Sequence, residues 1–381
     1  MVKKDVAVLD IGSSYINVIV GERGVNGTFK LKAKGEAEYA GFQNGEFLEP
    51  DQVKYAIGLA IANAENSGNI KISEITVGVP SEFVSVICRN ATINFTRRKK
   101  VNDADLEKLY YVGNVYKKHP THTAINQCPI YFTLDDGRRL IEPRGMASTK
   151  VTGFISYILA ENNFIDFMDN ILAELSLRNG GYVSTSLAEM LHLFDPTIRD
   201  RYALLVDCGY ITTSVMLGRG DGLLFLNSFS MGGGYISGDL SQCLKIPFAE
   251  AESLKRKIVL SWDASESDTY EIQSRDFIKP FSAVATNKIA SERIDMIAEY
   301  IVKCLDRCEF EYPEYIPLYL TGGGLNYVKG IRDYLSRRIG RKVELVAPNL
   351  PHVSKPDMSS EIGLLDLALD IKENNNFMLI R

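Results

Sequence analysis

The stretch DIGSSYINVIVGE, residues 10–22, recurs in altered form as DCGYITTSVMLGR at residues 207–219. Each copy follows a short apolar run, opens with Asp-x-Gly, continues through small or hydroxyl residues, and reaches a glycine at the same offset, Gly21 or Gly218. The second copy begins about half a chain length after the first, in a chain of 381 residues. This shared order predicts two halves that arose by duplication of one folding unit.

Both copies carry the chemistry of a phosphate site. An apolar strand that ends at Asp10 or Asp207 projects a carboxylate beyond its sheet, and the glycine after it permits a tight turn. Amide and hydroxyl groups in such a turn bind anions, and the carboxylate holds a hydrated cation. Either copy alone is more simply a turn that ends a strand. The pair predicts a clamp on the phosphates of a nucleotide, with Mg²⁺ held through water by both carboxylates. The predicted phosphate contacts are Gly12, Ser13, Ser14, Tyr15, Gly209, Thr212 and Thr213.

Two glycine clusters follow other apolar segments. Consecutive glycines allow a flat base or a phosphate to approach the backbone closely, so we expect both clusters to line the nucleotide site. A helix is predicted to start directly after the first cluster. The clusters are Gly322, Gly323 and Gly324, and Gly232 and Gly233.

Glu252 and Lys255 stand one helical turn apart, in a helix that follows the second cluster. The pair is predicted to contact the ribose hydroxyls. A surface ion pair at i, i+3 is an equally good interpretation of the same spacing.

The composition bounds the class of protein. The 45% hydrophobic and 24% charged fractions are those of a soluble globular chain, and the length predicts two or three domains. The net charge of −5 argues against a nucleic-acid partner. The six cysteines form no Cys-x-x-Cys pair, which favours free thiols in a reducing cytoplasm over a metal centre.

The order of the motifs resembles the actin-like ATPase superfamily and, within it, the FtsA family of bacterial cell-division proteins. LDIGSS resembles the first phosphate motif, LLVDCG with the following TT the second, and LTGGG the adenosine motif. MGGGYISGDL with AEAESLK is similar to a further stretch of that family. A predicted helix capped at Asn102, followed by a predicted hairpin, resembles the family's own inserted subdomain, which actins and chaperone ATPases lack.

The resemblance implies an α/β, actin-like fold of two duplicated ribonuclease-H-like halves around a nucleotide cleft, with an FtsA-type inserted subdomain. The implied units are a first core at 1–82 with 162–197, the insertion at 83–161, a second core at 198–230 with 306–381, and a smaller subdomain at 231–305.

The departures from the family pattern fall on the chemistry. Tyr15 stands where the family usually has Lys, and Tyr210 and Ile211 replace glycines that lie close to the phosphates. Thr185 and Ser214 stand where the family has acids. Glu189 lies one helical turn from Thr185, which makes it a poor substitute by this interpretation. We therefore expect weak or absent ATP hydrolysis, since loss of the acid that holds the water costs several powers of ten in rate.

The resemblance also implies partners and a location. The protein is expected to polymerise with itself, to bind the C-terminal tail of the tubulin-like division-ring protein, and to meet other division proteins at the inner face of the membrane. Arg293 matches a family arginine that holds that tail, although an exposed helical arginine often serves only solubility. Residues 377–381 would supply barely one turn of a membrane helix. They are expected to be a minimal anchor or the start of a longer one, or else the protein does not tether itself.

Two other functions share this fold. A pilus-assembly relative has the same insertion and binds a short peptide of an inner-membrane partner. A sugar or acetate kinase would need a catalytic acid, and Thr185 and Ser214 argue against it.

Overall fold

A computed structural model describes residues 5–24, 28–114, 116, 119–274, 277–350 and 353–374. The strands are β1 (Val6–Ile11), β2 (Tyr15–Arg23), β3 (Phe29–Glu38), β4 (Phe42–Gln43), β5 (Glu46–Phe47), β6 (Glu74–Val79), β7 (Val84–Lys100), β8 (His122–Leu134), β9 (Arg139–Leu140), β10 (Ala147–Glu161), β11 (Arg178–Ser184), β12 (Ala203–Cys208), β13 (Thr213–Arg219), β14 (Gly222–Phe229), β15 (Thr269–Ser274), β16 (Phe277–Ser282), β17 (Leu318–Thr321) and β18 (Val343–Leu345). The helices are α1 (Pro50–Gly68), α2 (Asp103–Gly113), α3 (Asn162–Glu174), α4 (Thr185–Leu193), α5 (Pro196–Arg199), α6 (Gly233–Leu244), α7 (Phe248–Lys255), α8 (Ala283–Leu305), α9 (Ile331–Ile339) and α10 (Ser359–Asn374).

Two five-stranded sheets share one plan. The first has the order β11-β6-β1-β2-β3, and the second has the order β14-β13-β12-β17-β18. In each, a central strand pairs antiparallel with the strand that follows it and parallel with a later one: β1 with β2 and β6, and β12 with β13 and β17. Both central strands are apolar and buried, as expected of strands covered on two faces. The sheets confirm the predicted duplication.

The inserted segment forms a sheet of its own, in the order β7-β10-β8-β9, with α2 against it. The predicted cap is present, because the Asn102 side chain accepts from the Asp105 amide and Asp105 bonds back to the Asn102 amide. The predicted hairpin is the antiparallel pair β8–β9. The insertion also touches the second half, since Ser156 Oγ on β10 donates to Leu223 O on β14 at 2.6 Å.

The helix α10 packs on the first sheet, although the sequence placed residues 306–381 in the second core. Its buried residues Ile362, Leu364 and Leu365 belong to the hydrophobic cluster that contains β1 and β2. Gly363 permits the close approach to α4, because a Cβ there would lie 2.8 Å from Ala188 O. The helix therefore ties the two halves together. The other proposed domain boundaries stay a prediction.

The helix expected directly after the glycines at 322–324 begins later. Residues 322–330 form turns, in which Asn326 Nδ2 donates to Gly322 O at 3.0 Å, and α9 starts at Ile331. The amphipathic helix predicted around Arg293 is confirmed as α8, which buries Ile294, Ile297 and Ile301.

Candidate functional site

A cleft of about 840 Å³ separates the two halves, with the turns of the β1–β2 and β12–β13 hairpins on its walls. Most of the predicted site residues line it. Those brought together are Asp10, Gly12, Ser13, Ser14, Tyr15, Thr185, Asp207, Gly209, Thr212, Ser214, Glu252, Lys255, Gly322, Gly323 and Gly324. Those that do not line it are Thr213, Gly232, Gly233 and Arg293.

The turn of the β1–β2 hairpin is closed by the Gly12 amide, which donates to Tyr15 O at 3.0 Å. Tyr39 Oη supports the turn by donating to Gly12 O at 2.6 Å. Tyr15 Oη donates to Glu38 Oε1 at 2.5 Å, and this bond raises the pKa of the Tyr15 phenol to about 12. The residue at the family's lysine position is therefore neutral and bonded to a carboxylate.

The turn of the β12–β13 hairpin has the same closing bond, from the Gly209 amide to Thr212 O at 2.9 Å. Tyr210 and Ile211 stand within it, and neither belongs to the described residues with positive φ. The turn closes without the conformations that favour glycine.

The two turns contact each other directly across the cleft. The Ile211 amide donates to Ser13 Oγ at 3.0 Å. The hydroxyls of Ser81 and Ser214 lie 2.6 Å apart, which joins the end of β6 to β13. The Ser13 hydroxyl, which was predicted to contact a phosphate, thus accepts a hydrogen bond from the second turn.

The glycine clusters pack against the second turn. The amides of Gly233 and Gly324 donate to Gly209 O at 2.9 Å and to Cys208 O at 2.7 Å. A Cβ on Gly232 would lie 2.4 Å from Gly209 O, and one on Gly324 would lie 2.2 Å from the same oxygen. Gly232 and Gly233 were predicted to contact nucleotide, but their role in the structure is to let three backbone segments meet.

Glu252 and Lys255 form an ion pair on the cleft wall, in which Lys255 is buried and Glu252 is half-buried. Lys255 Nζ donates to Glu252 Oε2 at 2.9 Å and to Gly233 O at 3.1 Å. Ser237 Oγ donates to the same Glu252 oxygen at 2.6 Å. The ammonium group also lies 5.7 Å from the centre of the Tyr210 ring. The pair therefore anchors α7 beside the second turn.

The strand-end carboxylates face the same cleft. Asp10 is only 2% exposed, and Ser360 Oγ donates to its Oδ2 at 2.8 Å. Burial raises the pKa of Asp10 to about 6, and burial likewise raises the pKa of Asp207 to about 6. Both carboxyls have lost hydration that a bound cation and its waters restore.

Sequence reasoning dismissed Glu189, yet this side chain lines the cleft and is only 2% exposed. Positions 185 and 189 are four residues apart on α4, so they lie on the same helix face. Burial raises the pKa of Glu189 well above its ordinary value, and the charges of Asp207 and Asp10 add to the shift. The i, i+4 spacing was the signal that should have identified it.

Glu361 is a second residue that sequence reasoning missed. It begins the first turn of α10, is 1% exposed, and pairs through Oε1 with Lys34 Nζ at 2.7 Å. Burial raises the pKa of Glu361 to about 7. Its Oε2 and the Thr185 Oγ1 are buried and have no hydrogen-bond partner within the described part of the chain.

The cleft is acidic. Its described lining carries the carboxylates Asp10, Glu36, Glu38, Glu189, Asp207, Glu252, Asp357 and Glu361, against the cations Lys34, Lys255 and Arg256. Over the described residues, no group of three or more His, Cys, Asp or Glu side chains is arranged to hold a metal ion. Two carboxylates on facing strand ends fit a hydrated Mg²⁺, which keeps most of its waters. A polyphosphate in this cleft needs such a cation to offset the negative charge.

Arg293 lies on α8, outside the cleft. Its guanidinium makes a two-pronged bond with Asp239, at 2.6 and 2.8 Å, and lies 5.5 Å from the centre of the Tyr235 ring. It is therefore a half-buried residue that fixes α8 to α6.

Comparisons with known proteins agree with this architecture. A family model described as Cell division protein FtsA matches residues 204–363. The chain is 25% identical to Cell division protein FtsA of Streptococcus pneumoniae serotype 2 (strain D39 / NCTC 7466), over 96% of this chain and 80% of that one. It is 24% identical to the FtsA of Enterococcus faecalis (strain ATCC 700802 / V583), over 96% and 83%.

Two solved structures share the fold. A PilM–PilN type IV pilus biogenesis complex superposes with a TM-score of 0.62 at 16% identity, over 97% of this chain and 99% of that one. MreB5 of Spiroplasma citri bound to AMPPNP gives 0.58 at 11% identity, over 98% of both chains. The predicted actin-like fold is confirmed, and the chain is similar to FtsA-type cell-division proteins over nearly its whole length.

Proposed function

We propose that this protein is a scaffold of bacterial cell division that polymerises into actin-like protofilaments and binds the tubulin-like division-ring protein. Through other contacts it recruits that protein to the inner face of the membrane at the division site. The observation that carries the proposal is that relatives named Cell division protein FtsA align with 96% of the chain, including the inserted sheet. Assembly with partners, and not turnover of a substrate, is then the activity of the molecule.

The cleft is proposed to bind ATP or ADP together with Mg²⁺. Asp10 and Asp207 hold the cation through its waters, and the turns that begin at Gly12 and Gly209 hold the phosphates. The cation supplies the positive charge that the acidic lining lacks. The bond between Ser13 and Ile211 already links the two turns. Because the two halves already contact each other, a bound nucleotide adds further contacts between them. Whether the cleft holds a nucleotide then sets how tightly it closes.

Hydrolysis is proposed to be weak. Catalysis of phosphoryl transfer to water needs an acceptor that orients the water and charge that offsets the developing oxyanion. Thr185 and Ser214 offer only neutral hydroxyls at the positions of the two expected acids, and Ser214 is already bonded to Ser81. ATP turnover by the purified protein at an ordinary enzymatic rate contradicts this part of the proposal.

The division-ring tail is proposed to bind along α8. Arg293, Met296 and Tyr300 are spaced for one helix face, and the last two are exposed apolar side chains. Because Arg293 is bonded to Asp239, its substitution also disturbs α6. Tyr300→Ala is therefore the cleaner test of this surface.

Co-sedimentation with filaments of the division-ring protein tests the scaffold proposal. The wild-type chain is expected to pellet with the filaments, and Tyr300→Ala is expected to pellet less. A matched control is Tyr55→Ala, which removes an exposed tyrosine from α1 in the other half. Equal binding by all three proteins contradicts the assignment of α8. No pelleting by the wild-type chain, with or without ATP, contradicts the scaffold proposal itself.

Membrane recruitment is a separate part of the proposal. No helix within the described residues is long and apolar enough to span a membrane. The anchor predicted at residues 377–381 lies outside the described residues. Flotation of the protein with vesicles that contain anionic lipid tests recruitment, and absence of flotation assigns tethering to a partner.

A pilus-assembly adaptor is the second candidate function. One observation favours it: a groove of about 490 Å³ lies between β8 of the insertion, β11 of the first sheet and α10. Ile125, Ile165 and Ile371 give the groove an apolar lining suited to a short peptide. Binding of an inner-membrane partner's peptide, without binding to division-ring filaments, supports this candidate over the first.

A further inference from the structure

We propose that the Glu189 carboxylate is a third acidic contact of the hydrated cation in the cleft and takes the place of the acid that the family has at position 185. The inference rests on the proposed binding of nucleotide with Mg²⁺ at the same cleft. It assigns a positioning role to a residue that the sequence pattern of the family does not include.

The first support is the position of Glu189 on its helix. α4 begins at Thr185, where Ser184 Oγ accepts from the Leu187 amide at 3.3 Å and fixes the start of the helix. Thr185 and Glu189 therefore lie one turn apart on the face that lines the cleft. The acid in this chain is therefore Glu189, one turn after position 185 on the same helix face, and its side chain lines the cleft.

The second support is the set of charges around Glu189. Its carboxylate interacts electrostatically with Asp207 and Asp10, which come from the two central strands. Asp10 and Glu189 are buried, and the half-buried Asp207 lines the same cleft, so the ionised forms of the three repel unless a cation lies among them. The two buried or half-buried lysines of the cleft are already paired, Lys34 with Glu361 and Lys255 with Glu252. Without a cation these carboxyls keep protons, and a cation from solution is the group that lets them ionise together.

The third support is a set of acceptors that have no partner. Glu361 Oε2 and Thr185 Oγ1 are buried in the same cleft and accept no hydrogen bond from any described residue. Buried acceptors are normally satisfied, and the waters of a hydrated Mg²⁺ are donors of the required kind. The described residues contain no direct three-ligand metal group, so contact through water is the arrangement that remains.

The test measures how much Mg²⁺ strengthens ATP binding. Isothermal titration calorimetry of ATP into the full chain gives dissociation constants in EDTA and in saturating MgCl₂, and their ratio is the gain from the cation. Glu189→Gln adds no negative charge to the cleft, so ATP alone should bind at least as well as to the wild-type chain. The gain from Mg²⁺ should fall about 10-fold, the usual cost of losing an outer contact of a metal.

Glu36→Gln is the matched control, because Glu36 is an exposed carboxylate of the same cleft on β3. It removes the same charge, and the gain from Mg²⁺ should stay at the wild-type value. Glu189→Asp keeps the charge on a shorter side chain and should lose part of the gain. This second variant also serves if Glu189→Gln does not fold.

The outcomes separate the two proposals. If Glu189→Gln and Glu189→Asp keep the wild-type gain, or match Glu36→Gln, the role of Glu189 is overturned and nucleotide binding stands. If the wild-type chain binds no ATP at any concentration of Mg²⁺, the proposed nucleotide site is wrong, and the inference that rests on it is overturned with it.

Discussion

The β1–β2 and β12–β13 hairpins have kept the same backbone and diverged in nearly everything else. Each turn is closed by one bond from a glycine amide to the carbonyl three residues later, at 3.0 Å in the first and 2.9 Å in the second. The supports differ, because the Tyr39 hydroxyl bonds to the first turn beside the closely packed Gly41, whereas glycine amides from two other segments bond to the second. The fold therefore depends on the shared turn, while the chemistry depends on side chains that are free to change.

The side chains that changed are also different in the two copies. The first hairpin keeps its hydroxyls but has Tyr15 at the position of the family's lysine. The second hairpin keeps Asp207 but carries Tyr210 and Ile211 in its turn and Ser214 in place of an acid. The predicted departures from the family pattern thus differ between the hairpins: the first lacks a positive charge at Tyr15, and the second lacks an acid at Ser214.

The largest difference in stability should appear when a methyl group is added at Gly324, which packs against the second turn, and at Gly12, which lies within the first. A Cβ at Gly324 would lie 2.2 Å from Gly209 O, a backbone atom that cannot move away. Gly324→Ala should lower the free energy of unfolding by more than about 3 kcal/mol. In the first hairpin, a Cβ at Gly12 would lie 3.0 Å from Tyr15 O, so Gly12→Ala should cost only about 1 kcal/mol.

Urea denaturation measures both changes. Gly238→Ala is the control, because a Cβ at this position on α6 meets no atom within 4 Å. Alanine in a helix interior should then raise stability by up to about 1 kcal/mol. Equal losses at Gly324 and Gly12 contradict the view that Gly324 is packed more closely against backbone than Gly12 is.

The next comparison neutralises each strand-end acid. Burial raises the pKa of both Asp10 and Asp207 from 3.8 to about 6. Between roughly pH 4 and pH 6 the unfolded chain has released these protons while the folded chain keeps them, so the free energy of unfolding falls as the pH rises. At pH 7 without cation, Asp207→Asn should raise stability by about 2 kcal/mol.

Asp10→Asn should raise stability less, because Ser360 donates to the Asp10 carboxylate and supports its charge. Both variants should bind Mg²⁺ with ATP about 10-fold more weakly or worse. Thermal melts at a series of pH values provide the first measurement and calorimetry the second. If the free energy of unfolding of the wild-type chain instead rises between pH 4 and pH 6, the assigned direction of the two pKa shifts is wrong.

A smaller effect is expected from the bond that joins the turns. Ser13→Ala removes the acceptor of the Ile211 amide and should lower the free energy of unfolding by about 1 kcal/mol. Ser14→Ala, next to it on the same turn, removes a cleft hydroxyl that makes no cross-cleft bond in the described residues. Chemical denaturation without nucleotide compares the two. A Ser14 variant as unstable as the Ser13 variant removes the special role of the Ser13 bond.

The sequence was sufficient for the duplication because strand, Asp-x-Gly and turn are local features that repeat. It was also sufficient to bring most predicted cleft residues to one place, since the ends of paired strands meet at one edge of a sheet. It failed for Gly232 and Gly233, because a glycine needed for backbone packing looks the same in sequence as one needed for a ligand. It also failed for Glu189 and Glu361, whose importance comes from helices that pack across the chain.

The smallest effect concerns the charge that the first hairpin lacks. Tyr15→Lys restores a cation to an exposed position on the cleft wall, where Glu36 and Glu38 already lie and compete for it. A screened surface charge contributes less than about 1 kcal/mol, so the affinity for ATP should rise only about 3-fold and the gain should shrink as salt is added. Tyr15→Phe removes the bond to Glu38 without adding charge, and calorimetry should show no gain. Both variants remove the hydrogen bond to Glu38. An equal rise in ATP affinity for the two would therefore assign the effect to the freed Glu38 carboxylate and not to the added lysine.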